Sequence, residues 1–74
     1  MEMNEFIEKF AEAIEIDDVE SLEAGTEFRQ LDEWSSLSVM LLIAFFDEEF
    51  GKEISEKDIK ACSTIQDLYD FAVA

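Results

Sequence analysis

Apolar residues recur at helical spacing along most of the chain. Met3, Phe6, Ile7, Phe10 and Ile14 fall on one face, and Glu5, Glu8, Lys9, Glu12 and Glu15 fill the other. This pattern predicts an amphipathic helix over residues 3–15. From Trp34 to Phe46 no residue is charged, and Val39–Phe46 is an unbroken apolar run behind three serines. A second helix is expected over residues 36–50. Ser35 stands at its N-cap, where a hydroxyl can accept bonds from the first free amides. Gly51 is its stop, because glycine tolerates the left-handed conformation past a helix end. Ser55 with Asp58, and Thr64 with Asp67, have capping-box spacing. The first box opens a short helix over residues 56–62. The second opens a last helix with Ile65, Leu68, Tyr69 and Ala72 on one face.

Residues 16–35 form a long connection, of a length uncommon in compact folds unless the loop is functional or well pinned. Ile16, Val19, Leu22, Phe28 and Leu31 are spaced to pin it, and a short helical turn is expected near residues 27–30. Proline is absent and glycine occurs only at positions 25 and 51, so little interrupts the helices. The prediction is an all-α fold. It is a small four-helix bundle, three longer helices and one short third helix, with a long loop between helices 1 and 2, as one domain over residues 1–74. Phe6, Phe10, Phe28, Phe46, Phe50 and Phe71 are expected in its core.

At 100° per residue, Val39, Leu42, Ile43, Phe46 and Phe50 form one broad face of the second helix, assigned to the core. Leu37, Met40, Leu41 and Ala44 fall opposite, beside the end where Ser36 begins the helix, and Asp47 and Glu48 continue that side. A bundle this small cannot cover both sides of one helix completely. Either this face is an exposed apolar patch with a polar rim, the usual mark of an interaction site, or the long loop folds over it. A helix N-terminus favours anions, so a phosphate on Ser36 would sit in a favourable field; an ordinary capping serine satisfies the same pattern.

Charge narrows the function classes. Twenty acidic and five basic residues give a formal net charge of −15. Such a surface repels nucleic-acid phosphates and anionic lipids, and favours fast, salt-sensitive encounter with basic patches on proteins. Histidine is absent, which removes the commonest general base and metal ligand. No base partner for a serine is visible, so the chain is not expected to be an enzyme. "DEEFGKE" has acids without the ligand spacing of a calcium loop, so no dedicated metal site is expected. Cys62, the single cysteine, cannot form an intrachain disulfide; it is expected as a packed residue in a reducing cytoplasm. The longest apolar run is too short to span a bilayer, so no membrane insertion is expected. The acidic start, Met-Glu-Met-Asn-Glu, has no signal- or transit-peptide character.

Three stretches carry a family resemblance: "WSSLS" at the start of the second helix, "FFDEEFGKEIS" from Phe45 to Ser55, and "STIQDLYDFA" from Ser63 to Ala72. Together with the acidic first helix and the loop bearing Phe28 and Leu31, they make nearly the whole chain resemble an acyl carrier protein. In that family a serine within Asp-Ser-Leu receives a 4′-phosphopantetheine arm from coenzyme A. Ser36-Leu37 matches the Ser-Leu half, so the resemblance implies Ser36 as the attachment residue; Ser35 and Ser38 are rivals only in a shifted register. It further implies a monomeric, freestanding carrier that holds acyl groups as thioesters. A phosphopantetheinyl transferase would load the arm, and acyl-loading, acyl-transfer or synthase enzymes with basic docking patches would use it. An excised domain of a larger synthase would have the same sequence character. Leu37, Met40, Leu41, Ala44, Asp47 and Glu48 are then the docking candidates, and Trp34 either walls the base of the arm or pins the loop. Two departures stand out: Ser35 replaces the usual Asp, and Ser38 and Leu41 are neutral where acidic residues are common. The first keeps a second reading open, an unmodified helical interaction module binding a protein partner through the apolar face of helix 2.

Overall fold

The structure is a computed structural model and describes residues 2–74. Its elements are α1 (Met3–Ala13), two short 3-10 turns (Val19–Ser21 and Phe28–Gln30), α2 (Ser36–Phe50), α3 (Glu56–Ala61) and α4 (Ile65–Val73). No strand occurs among the described residues. The fold is the expected all-α bundle: α1 packs on α2 and α4, and α2 also packs on α3 and α4.

Aromatic packing builds the core. The ring of Phe6, fully buried, lies 5.4 Å from Tyr69, 5.9 Å from Phe45 and from Phe50, and 6.3 Å from Phe46. One side chain on α1 thus joins α2 and α4. Truncating such a ring to alanine costs about 3–5 kcal/mol, comparable to the whole stability of a chain this short, roughly 4–11 kcal/mol. Phe10, Phe28 and Phe46 are also fully buried. Phe50 and Phe71 are half-buried and pack on the cluster. Phe45, not expected inside, is buried as well.

α1 ends two residues sooner than its hydrophobic period predicts. Glu15 takes a left-handed conformation (φ 61°). The amide of Ile16 donates to Ala11 O at 2.8 Å and that of Glu15 to Glu12 O at 3.3 Å. These are the two bonds of a Schellman motif, and they turn Ile16 back onto the core, where it is buried against buried Ala11. α2 ends as expected at Gly51, φ 61°. α3 stops at Ala61, with Cys62 as its extended C-cap.

The long loop is pinned at both apolar and polar points. Ile16, Leu22 and Phe28 are buried. Phe28 packs on Phe10 of α1 at 6.2 Å and holds the indole of Trp34 edge-on at 5.1 Å, so the two loop rings together fasten the loop to the bundle. The first amides of α4 use the loop as their acceptor: Ile65 N–H donates to Thr26 O at 3.0 Å and Gln66 N–H to Ala24 O at 2.9 Å. Arg29 Nε donates to Cys62 O at 3.2 Å. The carbonyl end of α4 is met by Lys52, whose Nζ donates to Phe71 O at 3.0 Å and lies 5.5 Å from the centre of the Phe71 ring. A cation at a helix C-terminus opposes the macrodipole.

Candidate functional site

Ser36 is the first residue of α2 and is exposed. The backbone before it is extended at Ser35 (φ −148°, ψ 179°), so the chain enters the helix at a sharp corner. That corner is held mainly by Ser38. Its hydroxyl accepts from Ser35 N–H at 3.1 Å and donates to Glu33 O at 3.3 Å, and the residue is only 3% exposed. Ser35 and Ser38 face each other as a capping box, their hydroxyl oxygens 3.4 Å apart. The sequence predicts a cap through the Ser35 hydroxyl; the better formed bond of the box is the reverse one, in which Ser35 N–H donates to the Ser38 hydroxyl. The burial of Ser38 is not legible in the sequence, because a serine in a polar cluster carries no hydrophobic signal.

No acidic residue lies in the first turn of α2, and the first on the helix is Asp47, about 16 Å along the axis at 1.5 Å per residue. The amides at the mouth of α2 therefore face an exposed hydroxyl with no carboxylate of their own helix nearby. A phosphodiester on Ser36 is compatible with this setting: the hydroxyl is accessible, and the dipole favours an anion there.

Beyond Ser36 the outer side of α2 is open. Leu37 is 56% and Met40 67% exposed, and Ala44, Asp47 and Glu48 are exposed too; the long loop does not cover them. Leu41 is half-buried and packs on the core. The core face is rotated from the predicted one. Leu42, Phe45, Phe46 and Ser38 are buried, while Val39 and Ile43 are only half-buried. This rotation divides the docking candidates between two surface grooves. Ser36, Met40, Ile43 and Asp47 follow one another at helical spacing, and the last three line a groove of about 590 Å³ against Ile54 and Asp58. Leu37, Leu41 and Glu48 follow on the next stripe; Leu41 and Glu48 line a second groove of about 420 Å³ against α1. Ala44 borders both.

The remaining polar groups of the neighbourhood are structural. Asp58 Oδ2 accepts from Ser55 N–H at 3.1 Å and from the Ser55 hydroxyl at 3.0 Å, which lowers its pKa. Asp67 Oδ2 accepts from Ser63 N–H at 2.9 Å and Thr64 N–H at 3.1 Å, with the same effect. Cys62 is buried, and burial, followed by the charges of Asp67 and Asp58, raises its thiol pKa. It is therefore a poor nucleophile. Among the described residues no group of His, Cys, Asp and Glu side chains is arranged to hold a metal ion, and no helix is long and apolar enough to cross a membrane.

No curated protein and no solved structure shows significant similarity to the chain. A family model does: that of the phosphopantetheine attachment site matches residues 4–72. With nearly the whole chain matched and an all-helical fold as the acyl carrier resemblance implies, the chain belongs to the phosphopantetheine attachment-site family, whose members carry a covalently attached 4′-phosphopantetheine.

Proposed function

We propose that Ser36 is the residue that carries the arm and that the protein shuttles acyl groups between partner enzymes. The observation that supports this most is the exposed hydroxyl of Ser36 at the amino end of α2, in a chain matched almost end to end by the phosphopantetheine attachment-site family. When bound, the arm supplies a thiol that holds an acyl group as a thioester. The chain's own residues perform the presentation. The Ser38 hydroxyl fixes the corner that projects Ser36 outward, and the α2 amides stabilise the phosphodiester charge. Trp34, packed edge-on against Phe28, anchors the end of the loop that leads into Ser36.

Catalysis belongs to the partners in this reading: a phosphopantetheinyl transferase first, then acyl-loading, acyl-transfer or synthase enzymes. Leu37, Met40, Ala44 and Asp47 are the docking residues nearest the arm, and Leu41 and Glu48 extend the surface over the adjoining stripe. Strong negative charge steers basic partners at long range, while a small apolar patch keeps each encounter brief. A buried, unreactive Cys62 suits a cytoplasmic carrier, since the only mobile thiol is then the one on the arm.

The test is direct. Apo protein incubated with coenzyme A and a broad-specificity phosphopantetheinyl transferase gains the mass of one arm. Ser36→Ala abolishes the gain and Ser35→Ala keeps it. No gain, under conditions that modify a control carrier, supports the second reading, an unmodified module binding its partner through α2. Ser35 in place of the family's usual Asp is what favours that alternative.

A further inference from the structure

Four of the five basic side chains are engaged elsewhere in the fold: Lys9 with Glu49, Arg29 with the Cys62 carbonyl, Lys52 with that of Phe71, and Lys60 with Glu56. No basic residue occurs between Gln30 and Gly51. The approach to Ser36 carries an indole instead. Trp34 lies two residues before it, across the extended Ser35, so about 7 Å of backbone separates the two. Its position is fixed twice: its amide donates to Leu31 O at 3.0 Å, and its half-buried ring stands edge-on to Phe28 at 5.1 Å. The indole nitrogen has no hydrogen-bond partner among the described residues, and no side-chain nitrogen or oxygen among them is buried without one. Trp34 Nε1–H therefore opens to solvent while the ring is held. From Asp32 to Met40 the only other side-chain donors are the serines, and Ser35 and Ser38 face each other in the capping box.

We propose that Trp34 is a positioning residue for the arm, its indole Nε1–H donating to a phosphodiester oxygen on Ser36. The inference rests on Ser36 carrying that arm, and it adds one side chain to the α2 amides that face the same charge. A hydrogen bond to an anionic oxygen is shorter than a neutral one and about twice as strong. An indole already held by Phe28 has little freedom left to lose when it bonds. Tryptophan suits the position because its ring packs while its polar tip stays wet. A lysine there would bring a full charge, but on a flexible four-carbon stem. The bond draws the phosphodiester toward the loop that precedes α2, and so restricts the directions in which the arm leaves the protein.

The test uses the full chain, isotopically labelled, before and after transfer of the arm from coenzyme A. Trp34 is the single tryptophan, so its indole resonance is unambiguous. Attachment to Ser36 is expected to move the indole proton downfield and to slow its exchange with solvent by about tenfold. Trp34→Phe keeps a ring against Phe28 and lacks the donor. It takes up the arm at unchanged helicity, and its phosphorus resonance is displaced from that of the wild-type holo protein. A role in packing alone moves neither signal. Mass gain at Ser36 with unchanged indole exchange, or the same phosphorus resonance in both proteins, overturns this proposal and leaves Ser36 as the carrier residue. No mass gain at Ser36, under conditions that modify a control carrier, overturns both. The wild-type indole measurement decides the question even where Trp34→Phe does not fold.

Discussion

The backbone amide of Ser35 donates to the side chain of Ser38 at 3.1 Å, and the same hydroxyl reaches back to the carbonyl of Glu33. One nearly buried oxygen thus ties the last residues of the loop to the first turn of α2, with Ser36 between them. Ser38→Ala removes both bonds, leaving the Ser35 amide and the Glu33 carbonyl without their side-chain partner, at a cost of about 1 kcal/mol. For a chain this short that lowers the melting temperature by roughly 4–8 °C, measurable by circular dichroism. Ser35→Asp acts in the other direction. A carboxylate at the N-cap of a helix with no acid in its first turn gains about 0.3–1 kcal/mol from the dipole. It also restores the residue usual in the family, so arm attachment to Ser36 is expected to be faster. An unchanged attachment rate would show that the transferase does not read this position.

Glu15 sits where glycine is favoured. A left-handed backbone costs an L-residue about 1–2 kcal/mol, and an anion at a helix C-terminus adds a further unfavourable share of about 0.3–1 kcal/mol. Glycine gives back roughly 0.5–1 kcal/mol through its greater freedom in the unfolded chain. Glu15→Gly is therefore expected to stabilise the fold by about 1 kcal/mol, seen as a higher denaturation midpoint at unchanged slope. Glu15→Gln keeps the backbone strain and removes only the charge, so its gain is smaller. Equal gains from both variants would assign the whole effect to charge.

These two sites also show how far the sequence is legible. The limits of α2 are read directly from Ser35 and Gly51, because both ends carry residues with a steric or hydrogen-bonding reason to be there. The end of α1 is not, because a glutamate in the glycine position gives no signal; the turn forms there because Ile16 must return to the core. The inward face of α2 lies further toward Ser38 and Phe45 than its periodicity predicts. Its residues are apolar nearly all round, so periodicity alone does not fix which side faces in or mark Phe45 as buried. Ser36 as a candidate was legible through its motif. The division of the outer surface into two grooves was not, because it depends on where α1 and α3 lie against α2.

Asp67 has its pKa lowered from 3.8, chiefly by the amides of Ser63 and Thr64. A carboxylate whose folded pKa is depressed contributes stability that is present above its unfolded pKa and is lost as pH falls through the folded one. Asp67→Asn should therefore lower the melting temperature at neutral pH, with the gap to the wild type closing as pH falls below 3.8. Relief of carboxylate repulsion on acidification is shared by both proteins and largely cancels in the difference. A gap that stays constant through the acid range would mean that the charge of Asp67 is not what caps α4.

Salt sets the two kinds of electrostatic effect against each other. Only two ion pairs occur among the described residues, both on the surface, and such pairs are worth about 0–1 kcal/mol. Against them stands the mutual repulsion of a chain with net charge −15. At about 0.1 M ionic strength charges more than about 10 Å apart are largely screened, so repulsion loses more than attraction does. Sodium chloride from low to moderate concentration should raise the melting temperature. A flat or falling response would show that the carboxylates are spread widely enough not to strain the fold.

Met40 tests whether docking near Ser36 is driven by contact or by charge. It is 67% exposed and one turn beyond the serine on the same stripe. Met and Glu have similar helix propensities, so Met40→Glu leaves helicity intact. If partners bury this side chain, its replacement forfeits about 1.5–3 kcal/mol of apolar burial, and the rate of arm attachment or acyl transfer falls by about 10- to 100-fold. If partners are instead held by charge alone, one more carboxylate strengthens their attraction and the rate rises. The apolar stripe leading from Ser36 favours the first outcome. A rate that rises in Met40→Glu, at unchanged helicity, would remove apolar contact from the docking step and leave steering by the acidic surface as its driving force.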